Sequence, residues 1–86
     1  MVIKYSKASL KFLAKLDKKS VNRITDGISK LTLTPPEGDI KPLQGDAEGR
    51  LRLRIGSWRI IYKYDKDNIP VVLLIIDIGN RGDIYK

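Results

Sequence analysis

The segment Gly49-Arg50-Leu51-Arg52-Leu53-Arg54-Ile55-Gly56-Ser57-Trp58-Arg59-Ile60-Ile61-Tyr62 alternates arginine with aliphatic residues, and this alternation constrains the fold more than any other feature. Successive side chains of a β-strand point to opposite faces. Arg50, Arg52 and Arg54 therefore share one surface, and Leu51, Leu53 and Ile55 share the other. Gly56-Ser57 reads as a two-residue turn with glycine first, the order a type II′ hairpin prefers. Ile55 then pairs with Trp58, and Arg54 with Arg59. The apolar face continues through Trp58, Ile60 and Tyr62, the basic face through Arg59 and Lys63. Like charges set directly opposite one another destabilise a sheet, so the Arg54–Arg59 pair points to an anion placed between the two side chains.

The remainder of the chain supplies partners for this hairpin. Val2-Ile3-Lys4-Tyr5 has the β-prone alternation of a short first strand. Ser6 offers an N-cap for a helix over Lys7 to Leu16, with Leu10, Leu13 and Ala14 as its apolar stripe. Asp17 offers the cap of a second helix, in which Val21, Ile24, Ile28 and Leu31 recur at helical spacing and Gly27 slightly weakens the propensity. The short link predicts an antiparallel helical hairpin. Thr34-Pro35-Pro36-Glu37-Gly38 ends it, and Asp39 to Glu48 reads as a loop anchored by Leu43. Asp65-Lys66-Asp67-Asn68 makes a second turn, and Val71 to Ile76 is the continuous apolar run of a central strand covered on both faces. The expected fold is α+β, a single domain over residues 1–86. An N-terminal strand and the helical hairpin precede a three-stranded antiparallel meander, forming a mostly antiparallel four-stranded sheet.

Composition narrows the chemistry. With no cysteine and no histidine among 86 residues, disulfides, thiolate metal sites and histidine-dependent catalysis are excluded within the chain. No metal or other cofactor is expected. The longest apolar run is far too short for a membrane span, and Met1 is not followed by a signal-peptide pattern, so a soluble, cytoplasmic protein is expected. A net charge of +7 favours a polyanionic partner, nucleic acid first. Of 17 Lys and Arg residues, Arg50, Arg52, Arg54, Arg59 and Lys63 are concentrated on the hairpin, which makes the charge a patch rather than a background.

Antiparallel pairing of the last two strands would bring Asn80-Arg81 to the Gly56-Ser57 turn, so that Arg54, Arg59 and Arg81 converge at one rim and Tyr85 can fold back to it. Guanidinium forks at a concave edge suit a phosphate group. Blander readings stand beside this one. Arg50, Arg52 and Arg54 also fit a solvated strand face, Arg81 a strand-end charge, and Tyr85 a C-terminal core anchor. Trp58 and Tyr62 fall on the core side and read as packing; Lys7, Lys11, Lys15, Lys18 and Lys19 read as the wet face of the helices.

Three motifs in this order, Lys41-Pro42-Leu43-Gln44-Gly45, the arginine-rich hairpin, and Ile78-Gly79-Asn80-Arg81-Gly82-Asp83-Ile84-Tyr85, resemble the RelE/ParE superfamily of bacterial and archaeal toxins, in its RelE-like branch. RelE members are messenger-RNA endonucleases that act in the ribosomal A site, each neutralised by an antitoxin encoded beside it. On that resemblance Arg59 matches the arginine of the family's third strand, Arg81 the arginine after the last strand, and Tyr85 the tyrosine near the C-terminus. These three are the expected catalytic residues. Arg50, Arg52, Arg54 and Lys63 are expected to bind RNA. At two motif positions the match departs from the family: Arg52 stands on the strand where a lysine is assigned as a base, and Asn80 stands where many members carry histidine.

The resemblance implies metal-independent cleavage of message, in which a 2′-hydroxyl attacks the adjacent phosphodiester and the arginines stabilise the developing charge. It also implies an acidic antitoxin, partly disordered when free, a toxin–antitoxin hetero-oligomer, and the ribosome and messenger RNA as partners, with no membrane. Two alternatives remain open on sequence: a ParE-like toxin that inhibits DNA gyrase and cuts nothing, and an inactive RNA-binding relative.

Overall fold

Ser6 and Asp17 start the helices as their side chains predict. In a computed structural model, which describes residues 1–80, β1 (Val2–Tyr5) leads into α1 (Lys7–Ala14), α2 (Lys18–Ser29) and a 3-10 turn at Lys30–Thr32. Ser6 Oγ accepts from the Ser9 N–H at 3.0 Å and donates to the Ile76 carbonyl at 2.7 Å, so the cap also ties α1 to the sheet. The fully buried Ser9 adds a bond to the Ile75 carbonyl at 3.3 Å. Helix α1 stops at Ala14, two residues short of the expected Leu16. Its last turn tightens, with the Lys15 N–H on the Phe12 carbonyl (3.2 Å) and the Leu16 N–H on the Leu13 carbonyl (3.1 Å). Leu16 is thereby turned onto the core, and Asp17 is free to accept from the Ser20 N–H at 3.1 Å.

The sheet departs from expectation. Four strands follow the helices: β2 (Asp39–Pro42), β3 (Leu51–Ile55), β4 (Trp58–Asp65) and β5 (Val72–Asn80). With β1 they form one five-stranded sheet in the order β1-β5-β4-β3-β2. The expected four-stranded sheet is corrected by β2, which pairs antiparallel with β3, and the loop expected over Asp39 to Glu48 is corrected over Asp39–Pro42 only, residues 43–48 being turn and loop. Asp39-Ile40-Lys41 alternates after all, with Ile40 packed on the core, and Pro42 sits at the end of an edge strand, where its missing N–H costs nothing. Gly38, at φ +139°, turns the chain into β2 directly over Leu53; a Cβ there would lie 2.7 Å from Leu53 Cδ1. The sheet is mixed because β1 runs parallel to β5, while all other pairs are antiparallel.

The hairpin has the register read from its alternation, Ile55 opposite Trp58 and Arg54 opposite Arg59. Gly56 takes φ +56°, and no described non-glycine residue has a positive φ, which matches a type II′ turn and excludes type I′. Helix α2 and the 3-10 turn lay Ile24, Ile28 and Leu31 onto Leu53, Ile60, Tyr62, Leu73, Ile75 and Ile78 of the sheet. Between β4 and β5 the pairing slips, from Ile61↔Asp77 to Tyr62↔Ile75. Ile76 is the extra residue. A one-residue slip exchanges the faces of a strand, so this bulge lets both Ile75 and Ile78 enter the same core.

Within that core, the Tyr62 hydroxyl has no hydrogen-bond partner among the described residues, and burial pushes its pKa up. Its ring meets Tyr64 edge-on at 5.7 Å, and the Tyr64 hydroxyl donates to the Leu31 carbonyl at 2.7 Å. A buried hydroxyl that makes no bond costs its desolvation, and a bonded one contributes about 1 kcal/mol. Tyr62→Phe is therefore expected to leave stability unchanged or raised. Tyr64→Phe is expected to lower it by about 1 kcal/mol. Urea unfolding of both variants checks the contrast.

Candidate functional site

The helices cover one side of the sheet, and the arginines line the other. Two adjacent rows run across this second face, Asp39–Arg54–Arg59–Gly79 over β2, β3, β4 and β5, and one step along the strands Lys41–Arg52–Ile61–Asp77. Arg52 is only 4% exposed, so it is not part of a solvated strand face. Arg54 and Arg59 are half-buried. Asp39 reaches both neighbours on β3, with Oδ1 3.4 Å from Arg52 Nη2 and Oδ2 3.9 Å from Arg54 Nε. Arg52 Nη1 and Arg54 Nε make no hydrogen bond among the described residues.

The internal carboxylate therefore flanks the Arg54–Arg59 pair from the β2 side. It offsets part of the like-charge cost of that pair, and an external anion between the two guanidiniums would offset more. Asp39 went unread as a site residue because its segment read as loop. The signal that could have found it is the polar–apolar–polar order of Asp39-Ile40-Lys41.

Arg50 lies apart from this cluster in its bonding. Its Nε donates to Asp46 Oδ2 at 2.6 Å, with Glu48 at 3.7 Å, and Asp46 also accepts from the Glu48 N–H at 2.8 Å. The hydrogen bond from Arg50 holds the Asp46 carboxyl below the usual aspartate range, and the same contact raises the guanidinium pKa of Arg50. At α2, the Ser20 hydrogen bonds lower the Asp17 carboxyl in the same direction. Groups with depressed folded pKa values contribute stability that is complete above the unfolded value and lost as pH falls through the folded one. Stability is accordingly expected to begin falling as the pH drops below about 4, the ordinary aspartate pKa, and Asp46→Asn is expected to flatten that part of the pH–stability curve. Thermal melts from pH 6 to pH 2 test the slope.

Lys63 lies on the same face further along β4, opposite Leu74. Arg81 and Tyr85 lie outside the described residues; Asn80, the last described residue, pairs with Trp58 immediately after the hairpin turn. Trp58 is half-buried against the core, and the Arg23 guanidinium stands over its ring at 5.3 Å, so it acts as packing. The five helix lysines are exposed. The arginine-lined face thus offers fixed positive charge with planar forks of donors at the half-buried Arg54 and Arg59, an arrangement suited to a phosphate group. Among the described residues no helix is long and apolar enough to cross a membrane.

Comparison with known proteins agrees with this architecture. The structure is similar to the RelE–RelB complex from the archaeon Pyrococcus horikoshii, with a TM-score of 0.74 at 27% identity over 95% of this chain and 96% of that one. It is also similar in fold to the RelBE2 toxin–antitoxin complex from Mycobacterium tuberculosis, with a TM-score of 0.72 at 19% identity over 93% and 96% of the two chains. In sequence, Toxin RelG of Mycobacterium tuberculosis is 37% identical over 46 residues, 54% of this chain, and the chain spans about half (51%) of that relative's length. The model of the family described as the ParE toxin of the type II toxin–antitoxin system, parDE, matches residues 3–85. A match over nearly the whole chain, together with a fold shared with RelE structures, establishes that this protein belongs to the ParE toxin family of type II toxin–antitoxin systems, within the RelE/ParE superfamily.

Proposed function

We propose that this toxin cuts messenger RNA on the ribosome. The substrate supplies the nucleophile: the 2′-oxygen bonds to phosphorus as the P–O5′ bond breaks, leaving a 2′,3′-cyclic phosphate and a 5′-hydroxyl. No metal is needed for that displacement. Arg59 stabilises charge on the phosphoryl oxygens. Arg81 does so at the departing 5′-oxygen, and Tyr85 orients the substrate or assists proton transfer; both assignments rest on the sequence motif. Arg52, Arg54 and Lys63 hold the RNA backbone, and Arg50, anchored to Asp46, extends the basic strand. The observation that carries this reading is the direct opposition of Arg54 and Arg59 on a half-buried face, a geometry stabilised by an anion.

The chain has no histidine, the side chain that ordinarily titrates near neutrality, so proton transfer is not optimised in the free protein. Positioning by the ribosome compensates, in this scheme. The relatives from Pyrococcus horikoshii and Mycobacterium tuberculosis were both solved with their antitoxins. An acidic antitoxin, folding as it covers the basic face, is proposed as the regulator here too, in a toxin–antitoxin complex in the cytoplasm.

Toe-printing of message in a purified translation system tests the reading. New RNA ends on ribosome-bound message, with slower cleavage of the same RNA free in solution, are the expected result. Equal cleavage of free and ribosome-bound RNA would overturn the ribosome-dependent scheme. The family match to ParE favours a second reading, inhibition of DNA gyrase without cleavage. Loss of gyrase supercoiling at toxin concentrations that leave message intact would select it.

A further inference from the structure

Asp39 is one of two carboxylates in the two rows of the RNA-binding face: it stands beside the arginines of β3, whereas Asp77 lies beyond Ile61 on β5, its Oδ1 accepting from the Ile78 N–H at 3.0 Å. Arg52 is 4% exposed and permanently charged, so its burial demands an anion, yet its one ion pair among the described residues is a 3.4 Å contact to Asp39, and Nη1 is unpartnered among them. The companion contact, Asp39 to Arg54, is longer at 3.9 Å. Charge-assisted hydrogen bonds of full strength close to about 2.7–2.9 Å. By that measure the Arg50–Asp46 pair, at 2.6 Å, is locked, and the Asp39 contacts are loose. Asp39 stands on the edge strand β2 with 49% of its side chain exposed, whereas Arg52 is buried within the sheet. One of its oxygens faces each arginine, the arrangement two oxygens of a phosphate would take.

We propose that Asp39 is a positioning residue that stands in for a substrate phosphate, keeping Arg52 and Arg54 aligned in the free toxin and giving way to an RNA phosphate on binding. The identity of the anion rests on the RNA-binding part of the reading above, not on cleavage. Displacement of an internal carboxylate adds a phosphate interaction at the cost of an ion pair, so Asp39 limits non-specific affinity for polyanions.

The test uses the purified toxin and a fluorescent single-stranded RNA oligonucleotide with 2′-O-methyl sugars, which removes the nucleophile. Anisotropy titrations across a salt series compare wild type, Asp39→Asn, Asp39→Glu and Asp67→Asn. Asp67, in the turn between β4 and β5, controls for the change of net charge. Asp39→Asn is expected to bind several-fold more tightly than Asp67→Asn, with a salt slope steeper by about 0.7 for each additional phosphate neutralised. Asp39→Glu is expected to return towards wild type. Equal affinity and slope for Asp39→Asn and Asp67→Asn, or weaker binding by a folded Asp39→Asn, would overturn the proposal. Where Asp39→Asn does not fold, carboxyl carbon chemical shifts of the wild type report the same event: Asp39 shifts on RNA addition and Asp46 does not, and an unmoved Asp39 overturns it. Failure of the toe-printing experiment alongside the expected anisotropy result would remove the cleavage reading and leave this one in place.

Discussion

Replacing Arg59 with alanine is expected to slow cleavage of ribosome-bound message by about 10²–10³-fold, the usual cost of removing one preorganised donor from a developing oxyanion. Arg59 is set on the central strand β4, flanked in its row by Arg54 and by Gly79, which contributes no side chain. The guanidinium is therefore positioned by sheet register rather than by a loop. Arg59→Lys keeps the charge but offers a single ammonium in place of two parallel donors, so partial recovery is expected. Single-turnover toe-printing, with thermal melts to confirm that each variant is folded, measures both. Equal cleavage by Arg59→Ala and wild type would remove Arg59 from the reaction.

The second large effect concerns the scaffold. Ile60 is fully buried between Leu53 on β3 and Ile78 on β5, themselves almost wholly buried, at the centre of the sheet beneath α2. Truncation to alanine deletes packing on both sides, and the paired backbone of β4 restrains collapse into the space. Ile60→Ala is expected to cost about 2–5 kcal/mol. Domains of this kind have only about 5–15 kcal/mol in total, so the variant would lose much of its stability at 37 °C. Urea unfolding reads the loss as a lower midpoint; a cost below about 1 kcal/mol would show that the site repacks. Because Ile60 adjoins Arg59 in β4, such a variant would also lose activity without touching the arginines' chemistry.

Much of this was legible in the chain. The Arg54–Arg59 pairing followed from alternation and one glycine-led turn, and both helix starts followed from Ser6 and Asp17, because caps and hairpin turns are decided by residues a few positions apart. The motif around Gly79-Asn80-Arg81 carried a resemblance that the family match over residues 3–85 upholds. Arg50, Arg52 and Arg54 looked equivalent in the strand pattern and are not: one is tied to a loop carboxylate, one is buried, and one faces another arginine.

What the sequence determined by itself was local, namely which residues share a strand face, where helices begin, and that positive charge collects on one hairpin. Only the tertiary structure decided that Asp39–Pro42 forms the fifth strand, that β1 runs parallel to β5, and that Ile76 bulges to bring Ile78 into the core. It also decided that Asp39 stands beside two arginines more than ten residues away in the chain. The physical reason is the range of the forces involved. Backbone geometry and capping act between neighbours, whereas strand partners and ion pairs are selected by the burial of a shared core, a property of the folded chain as a whole.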